Sequence, residues 1–515
     1  MLIRNIFSNW ASVAINLAVA FLLSPFLVHS LGDSAYGLWV LVLSVTGYMG
    51  LLDTGLRVSI VKHTAECNAR GDTEELNRVL HTGLTLYGSL SLIVVLLSFV
   101  ASMYFDSIFT VPATDVSTGR LLVIIAGINV ALSLPLGVLG GLLAGLQRYD
   151  LLNVASVIVL LARTALVVAA VSTGFGVVAL GWIHVASQVL TAVVFLRMAK
   201  LQFPALDLGF HRFRGFNRAT MRGLYAYSGY IVLNNVAMFL MFYSGEVLIG
   251  MFIGTAAVTS YAIARSLVQY LSTIVGSMTQ VFHPYASDQH ERGNAAALRD
   301  VLVVGTKTSL LITLPVGVAL LIVGPTFVGL WMGPQYGRSA GMMLAVLTLA
   351  QVVWLSQSTA GNVLLGIGKH RVIAIGTLAA GVGAIVASLA LVPAFGSEGV
   401  AAGPLLPILV WAAVLPVTTA RAVNMTLGDY FKHAYAGPLA AVVPFAAVLF
   451  WVSRTWPASN LLTFALQVTI CLTTFVPAAY FLAFGQAERQ RWIARVRAMR
   501  QVPEPASVGP RDVIR

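Results

Sequence analysis

Apolar runs close to twenty residues long, separated by charged or turn-forming clusters, repeat along nearly the whole chain. A bilayer's hydrocarbon core is about 30 Å thick and takes roughly 20 helical residues to cross, so each run predicts a membrane span. The pattern predicts about fourteen spans, near residues 7–29, 36–57, 81–104, 121–146, 152–173, 177–198, 227–252, 257–282, 303–323, 340–366, 372–393, 399–420, 437–454 and 460–484. The fold class that follows is all-α and polytopic. No small-residue cleavage site follows the first run, so it is expected to remain as a helix rather than act as a removed signal peptide.

The charge between the runs is lopsided. With the N-terminus inside, one side of the membrane collects Arg4, Arg57, Lys62, Arg70, Arg78, Arg148, Arg197, Lys200, Arg212, Arg214, Arg218, Arg222, Arg292, Arg299, Lys307, Lys369, Arg371, Arg421, Lys432 and the Arg-rich tail. The other side collects Arg120, Arg338 and Arg454. Basic residues mark the cytoplasmic face, so both termini are expected in the cytoplasm.

The runs also repeat. "ARGDTEELNRVLHTG" (Ala69 to Gly83) aligns with "ERGNAAALRDVLVVG" (Glu291 to Gly305), "LG" at 31–32 with "IG" at 253–254, "LAGLQR" (143–148) with "LLGIGK" (364–369), and "GV" at 176–177 with 399–400. All four pairs keep an offset of 221 to 223 residues. The repeat holds six spans, and an even number makes the two copies parallel, related by an axis along the membrane normal with a substrate site between them near mid-membrane. The expected organisation is a first lobe (residues 1–206, spans one to six), a basic cytoplasmic linker (207–226), a second lobe (227–430, spans seven to twelve), two appended spans (431–485) and a basic, partly disordered cytoplasmic tail (486–515). The linker segment "RMAKLQFPALDLGFHRFRGFNRATMR" mixes Phe with Arg and is expected to lie along the inner membrane surface.

Composition agrees with a membrane protein. Of 515 residues 58% are hydrophobic and 10% charged, against roughly 25% charged in soluble domains, and mean hydropathy is +0.87. The net charge of +12 is then topological, and no basic patch interleaved with aromatics points to nucleic acid. Cys67 and Cys471 form no C-x-x-C and suggest neither a disulfide framework nor a metal site. No D-x-D, H-E-x-x-H or nucleophile motif is present, and the longest external segments, 105–120 and 324–339, are too short for a catalytic domain. A membrane glycosyltransferase, polymerase or ligase is disfavoured on that ground, and no enzymatic activity is expected.

"LGDSAYGLWVLVLSVTGYMGLLDTGL" (Leu31 to Leu56), followed by "ARGDTEELN" and "GLQRYDLLN", resembles the polysaccharide flippases of the multidrug/oligosaccharidyl-lipid/polysaccharide (MOP) exporter superfamily. "LIGMFIGTAAVTSYAIARSL" (Leu248 to Leu267) resembles that family's segment over helices seven and eight. The resemblance implies a transporter that moves undecaprenyl-diphosphate-linked oligosaccharide from the inner to the outer leaflet of a bacterial plasma membrane, by alternating access of two six-helix lobes. It implies lipid-linked oligosaccharide and membrane lipids as partners, with a polymerase or export machinery beside them, and no cofactor. A proton, a sodium ion or no coupling ion all stay open. A multidrug exporter of the same superfamily is the alternative, for which a cation site of acidic groups would be expected.

Charges inside spans are costly and normally face protein or water. Asp53 lies four residues before Arg57, a spacing that on a continuous helix puts both on one face; they are read as a local ion pair or as a gate or coupling-ion contact. Glu246 and Arg265 flank the turn between spans seven and eight at similar depth, which predicts an ion pair or a protonation or sodium site at Glu246, an acidic position where the resembled family frequently has Asp. Arg163 sits in the middle of its span, about 16 Å from either end, with no acidic residue in its own span or the next. It is read, with Arg265, as a contact for the substrate diphosphate, since Arg offers a planar fork of donors while remaining protonated; the alternative is a bond to carbonyls or to a carboxylate of another helix. Candidate sugar contacts are Asn16, Asn129, Asn234, Asn235, Gln269, Gln351, Gln357, Asn362, Tyr227, Tyr230, Tyr243 and Trp354, although for any single one of them helix packing is the first expectation.

Overall fold

The structure, a computed structural model, describes residues 2–53, 55–207 and 229–485, and their regular structure is entirely helical. The expected linker beyond Asp207, the tail from residue 486 and Tyr227 lie outside the described residues. The first half contains α1 (Leu2–Leu31), α2 (Asp33–Gly50), α3 (Leu56–Arg70), α4 (Thr73–Met103), the short α5 (Phe105–Ile108), α6 (Val116–Gly145), α7 (Tyr149–Ser172) and α8 (Val177–Gln202). The second half contains α9 (Gly229–Phe242), α10 (Ser244–Phe252), α11 (Thr255–Thr279), α12 (Phe282–Glu291), α13 (Ala295–Met332), α14 (Pro334–Ser356), α15 (Ser358–Gly366), α16 (His370–Ala402) and α17 (Leu405–Ala422). The short α18 (Leu427–Ala434), then α19 (Ala436–Thr455) and α20 (Leu461–Ala478), follow.

Among the described residues eleven helices are long and apolar enough to cross a membrane, and twelve spans result when α9 and α10, bent by 45° at Tyr243, count as one broken span. This is a multi-pass membrane protein. The two remaining expected spans are occupied by α2, of 18 residues, and α11, of 25 residues, which are too polar to reach the same hydropathy. They begin at equivalent points of the repeat, and they pack against each other.

The repeat is visible in the backbone. Left-handed or otherwise positive φ angles recur at Gly32 and Gly254, at Gly71 (70°) and Gly293 (66°), at Gln147 (59°) and Gly368 (78°), and at Gly174 (84°) and Gly396 (57°). Each pair is 221 or 222 positions apart, because each marks the same turn between helices, where a residue without a Cβ bears the conformation most easily. The caps that follow also match: Asp72 accepts from the Glu75 amide at 2.9 Å and Asn294 from the Ala297 amide at 3.1 Å, each satisfying one of the free donors of a helix start.

Helix alternation places Arg70, Arg148, Lys200, Arg292, Lys369 and Arg421 at one end of the molecule, the basic end, and Asp33, Asp106, Arg120, Arg338 and Arg454 at the opposite end. The apolar cores show how the halves meet. One core, including Leu27, Leu41, Ile249, Val258, Trp331 and Tyr336, joins both halves at the opposite end. The first half keeps a separate core around Ile60, Leu80 and Leu142, and the second half another around Leu302, Ala360 and Tyr430, which also takes in α19 and α20. The halves therefore share buried apolar surface at the opposite end and separate toward the basic end. Cys67 and Cys471 are free and buried.

Candidate functional site

The seam at the opposite end is tight because a glycine permits it. A Cβ on Gly37 of α2 would run into the Thr255 carbonyl and stand 2.9 Å from the Thr259 hydroxyl, so only Gly lets α2 and α11 approach this closely. Around that contact, Ser34 donates to Asp115 at 2.7 Å and lies 3.1 Å from the Thr255 hydroxyl. Thr259 donates to the Asp33 carbonyl at 2.7 Å, and Tyr336 donates to the Asp33 carboxylate. The Thr110 amide and hydroxyl donate to the carbonyls of Gly250 and Met251, at 2.8 and 2.9 Å. Trp331 Nε1 donates to the Phe21 carbonyl at 3.1 Å. Apart from Ser34–Asp115, which lies within the first half, these six hydrogen-bonded pairs join the two halves, and all belong to the end away from the basic charges. Sequence reading gave none of them a role, since an Asp beside Gly at a helix start reads only as a cap.

On the other side of the seam, the second half encloses a cavity of about 410 Å³. It runs from Gln269 and Gln351 at mid-helix to Gln280 and Leu365 near the basic end. Two helix breaks of this half, Tyr243 between α9 and α10 and Gln357 between α14 and α15, line it. Of the expected sugar contacts, Asn234, Gln269, Gln351, Gln357, Asn362, Tyr243 and Trp354 are brought together on its wall. Asn234 accepts from Thr377 at 3.1 Å, Gln357 donates to Ser356 at 3.2 Å and keeps a buried Oε1 with no hydrogen-bond partner, and Trp354 packs edge-on to Phe242 at 5.4 Å. Among the described residues no charged side chain lines this cavity.

Several candidates are elsewhere. Asn16 is bonded back to the Ser12 carbonyl of its own helix at 2.8 Å, Asn235 is not on the cavity wall, and Tyr230 is exposed away from it. Asn129 belongs to a smaller cavity of the first half, about 120 Å³, with Trp39 and His184, and its buried Oδ1 has no partner. Sequence reading missed Ser272, Gly276, Thr279 and Gln280 on the main cavity. The signal was available: with Gln269 they recur every three or four residues, one face of α11.

The charged residues resolve differently from one another. Asp53 and Arg57 do not pair, which corrects the expectation from their spacing. The chain leaves the α-helix for a 3-10 turn at Leu51–Asp53 and takes φ 97° at Gly55 before α3 begins, so four residues no longer mean one face. Asp53 instead accepts from the Tyr87 hydroxyl of α4, and Arg57 is exposed. Glu246 and Arg265 do form an ion pair, with Glu246 fully buried. The Arg265 guanidinium also lies over the Tyr243 ring, 4.7 Å from its centre. The other carboxylate oxygen, Oε2, and Arg265 Nη1 are buried without hydrogen-bond partners. Gln269, Gln351 and Phe242 touch both the main cavity and the small space against Arg265, so the pair stands directly behind the cavity wall. Tyr36 of α2 lies within electrostatic reach of both charges.

Arg163 lies in the middle of α7, partly buried, and among the described residues no carboxylate or hydrogen-bond acceptor engages it. His184 of α8 is within its electrostatic reach. Neither Arg163 nor Arg265 lines the main cavity, so the expected grouping of both around one substrate space is not what the structure shows. Outside the spans, Arg120 donates to Asp106 at 2.6 Å and holds that carboxyl below the usual carboxylate range.

A family profile for polysaccharide biosynthesis proteins matches residues 2–290. The uncharacterized membrane protein EpsK of Bacillus subtilis (strain 168) is 23% identical over 522 residues, covering 96% of this chain and 97% of that protein. Among solved structures, the lipid II flippase MurJ in an inward closed conformation matches with a TM-score of 0.65 at 12% identity, over 93% of this chain and 98% of that one. An inward-facing multidrug resistance MATE family transporter of the MOP superfamily gives 0.64 at 18% identity, over 81% and 96%. At these identities the structural likeness is one of fold. With more than half of its length matched by the family profile, the chain belongs to the polysaccharide biosynthesis protein family, and it shares the helical fold of both structural neighbours.

Proposed function

We propose that the protein carries an undecaprenyl-diphosphate-linked oligosaccharide from the cytoplasmic to the outer leaflet of a bacterial plasma membrane, with both termini and the basic end in the cytoplasm. The observation that carries this reading is the chemistry of the main cavity: a wall of amides, hydroxyls and aromatic rings, without a charge among the described residues, reaching the basic end while the opposite end is sealed. Amides hydrogen-bond sugar hydroxyls, and aromatic faces cover the apolar faces of pyranose rings. A multidrug cation exporter would place a carboxylate on that wall, and Glu246 stands behind it, already paired.

In this reading the sugar head enters from the cytoplasmic side, and its contacts fall on residues that also touch the Glu246–Arg265 pair. Tyr243 is the direct link, with one neighbour in the cavity and Arg265 against its ring. Displacing Tyr243 or Gln269 changes the solvation of a buried pair that reaches Tyr36 across the seam, which gives occupancy a route to the closed end. Proton or sodium coupling through Glu246 fits the same route. Arg163 supplies the first half's cation for the diphosphate. We assign no catalytic step to the protein.

The test is deletion of the gene followed by identification of the lipid-linked intermediates. Accumulation of a diphosphate-linked oligosaccharide on the cytoplasmic leaflet is expected, with restoration by the intact gene and not by a Gln269→Leu, Gln351→Leu double variant. Unchanged lipid intermediates together with a lost resistance to cationic drugs would transfer the assignment to the multidrug reading.

A further inference from the structure

The second half has another cavity, larger than the first and sharing none of its lining residues. It measures about 760 Å³ and lies at the basic end, between the first turns of α13, the short helix α18, the start of α19 and the segment Leu482–Gly485 that follows α20. Its wall combines two chemistries. Among the described residues Arg299, Lys307, Lys432 and His433 stand with one acid, Asp300, while Val303, Val304 and Phe484 supply an apolar side.

The cations are held in place. Arg299 Nε donates to the Val423 carbonyl at 2.9 Å, which orients the guanidinium at the rim. Lys307 is 5% exposed, with its ammonium 5.6 Å from the centre of the Phe484 ring. On α18, Tyr430 and Ala434 are buried while Lys432 and His433 are exposed, so the helix lies with its basic face toward the cavity mouth. Thr426 caps that helix, accepting from the Asp429 amide at 3.1 Å.

We propose that this cavity binds one anionic glycerophospholipid, its phosphate held by Arg299 and Lys432 and its acyl chains laid against Val303 and Val304. The position argues for a lipid. The cations stand at the basic end of a membrane-spanning bundle, where headgroup phosphates are concentrated, and the apolar part of the wall continues along the spans, where a free phosphate would find no partner. The chain beyond Gly485 is a poor occupant on charge alone, since residues 486–515 contain seven arginines against three acidic residues. A lipid here joins α13 to α18 and α19, and thus ties the two appended spans to the second half. This inference does not depend on the transported substrate.

The experiment uses the full chain, purified in detergent, stripped of lipid, and offered phosphatidylglycerol or phosphatidylcholine in mixed micelles, with bound lipid counted by native mass spectrometry. One phosphatidylglycerol per chain is expected, with phosphatidylcholine not retained. Replacing the exposed pair, Arg299→Gln with Lys432→Gln, should weaken retention by roughly 30-fold, the effect of two basic residues at a headgroup surface. The charge-keeping variant Arg299→Lys with Lys432→Arg should retain the lipid, which separates lost charge from lost folding. Equal retention of the two lipids, or undiminished phosphatidylglycerol on the Gln variant, overturns the proposal. Displacement by inorganic phosphate would make it a soluble-anion site. Loss on Arg491→Gln with Arg495→Gln, but not on the cavity variant, would move the site to the tail.

Discussion

The two halves of the molecule share a plan of turns and differ in how each carries its buried arginine. In the second half, Arg265 is neutralised by Glu246 and stacked on Tyr243, behind an uncharged cavity. In the first half, Arg163 has His184 for a neighbour and no counter-charge among the described residues. A cation inside a bilayer protein costs several kcal/mol unless it meets water or an opposite charge. The second half therefore keeps a fixed counter-ion, and the first half holds none among its described residues, which is what the proposed diphosphate contact at Arg163 requires. The repeat conserves backbone geometry; the chemistry of the two copies has separated.

The strongest way to break this contrast is to give the second half an arginine like that of the first. Glu246→Gln leaves Arg265 buried and unpaired, and is expected to destabilise the protein by about 3–5 kcal/mol. Thermal unfolding in detergent checks it. The double variant Glu246→Gln with Arg265→Gln should recover most of the loss, and equal stability of the single variant and the wild type would show that the pair carries no structural weight.

Arg163 is expected to behave in the opposite way. Arg163→Ala should lower transport by roughly tenfold or more with unfolding shifted by less than about 1 kcal/mol, since no local partner is orphaned. Arg163→Lys keeps the charge and loses the fork, which predicts a partial defect. Lipid-linked oligosaccharide transport at matched protein levels is the measurement; normal transport by both Arg163→Ala and Arg163→Gln would make the arginine a packing residue.

A smaller effect should follow from the cavity wall. Gln351→Leu removes one side-chain hydrogen-bonding group, worth about 0.5–1.5 kcal/mol, and should weaken apparent substrate affinity by roughly two- to tenfold while the maximal rate changes less. An unchanged affinity would separate the cavity from the sugar. The least effect belongs to Asp106, beside Arg120 on the short α5 that only the first half carries. Its folded-state pKa is depressed, so the pair's contribution is present above the unfolded value and fades as pH falls through the folded one. Because the carboxylate is in solvent, Asp106→Asn should leave the unfolding temperature at neutral pH unchanged within error.

Much of the fold was legible before any coordinates, because apolar runs of membrane length carry their own signal and the turn residues repeat at a fixed offset. The 45° break at Tyr243 and the break at Gln357 were not legible. Neither carries a Pro or Gly at the break itself, and tertiary packing around the cavity decides them. Asp53 and Arg57 show the opposite failure: the spacing is right for a pair, but Gly55 between them takes a conformation that ends the helix. Glu246 and Arg265 were legible because a hairpin of two spans fixes relative depth. The amides of the cavity were legible by type and not by place, since Asn16 and Asn234 look alike in sequence, and only the packed helices separate the residue bonded to its own turn from the one on the cavity wall.

The low hydropathy of α2 and α11 has a consequence for how the protein is made. A helix leaves the insertion machinery for lipid according to its own apolarity, and these two do not reach the level of their neighbours. Each buries its polar face against the other in the finished protein, through Gly37, Thr255 and Thr259. Their starting residues, Asp33 and Thr255, are 222 positions apart, a stretch that takes about 10 to 45 s to synthesise at 5–20 residues per second. For that interval α2 is a membrane helix whose partner does not yet exist, held at its post by α1 and α6. The contact that seals the opposite end is thus also one that the nascent chain must shelter until its second half is made.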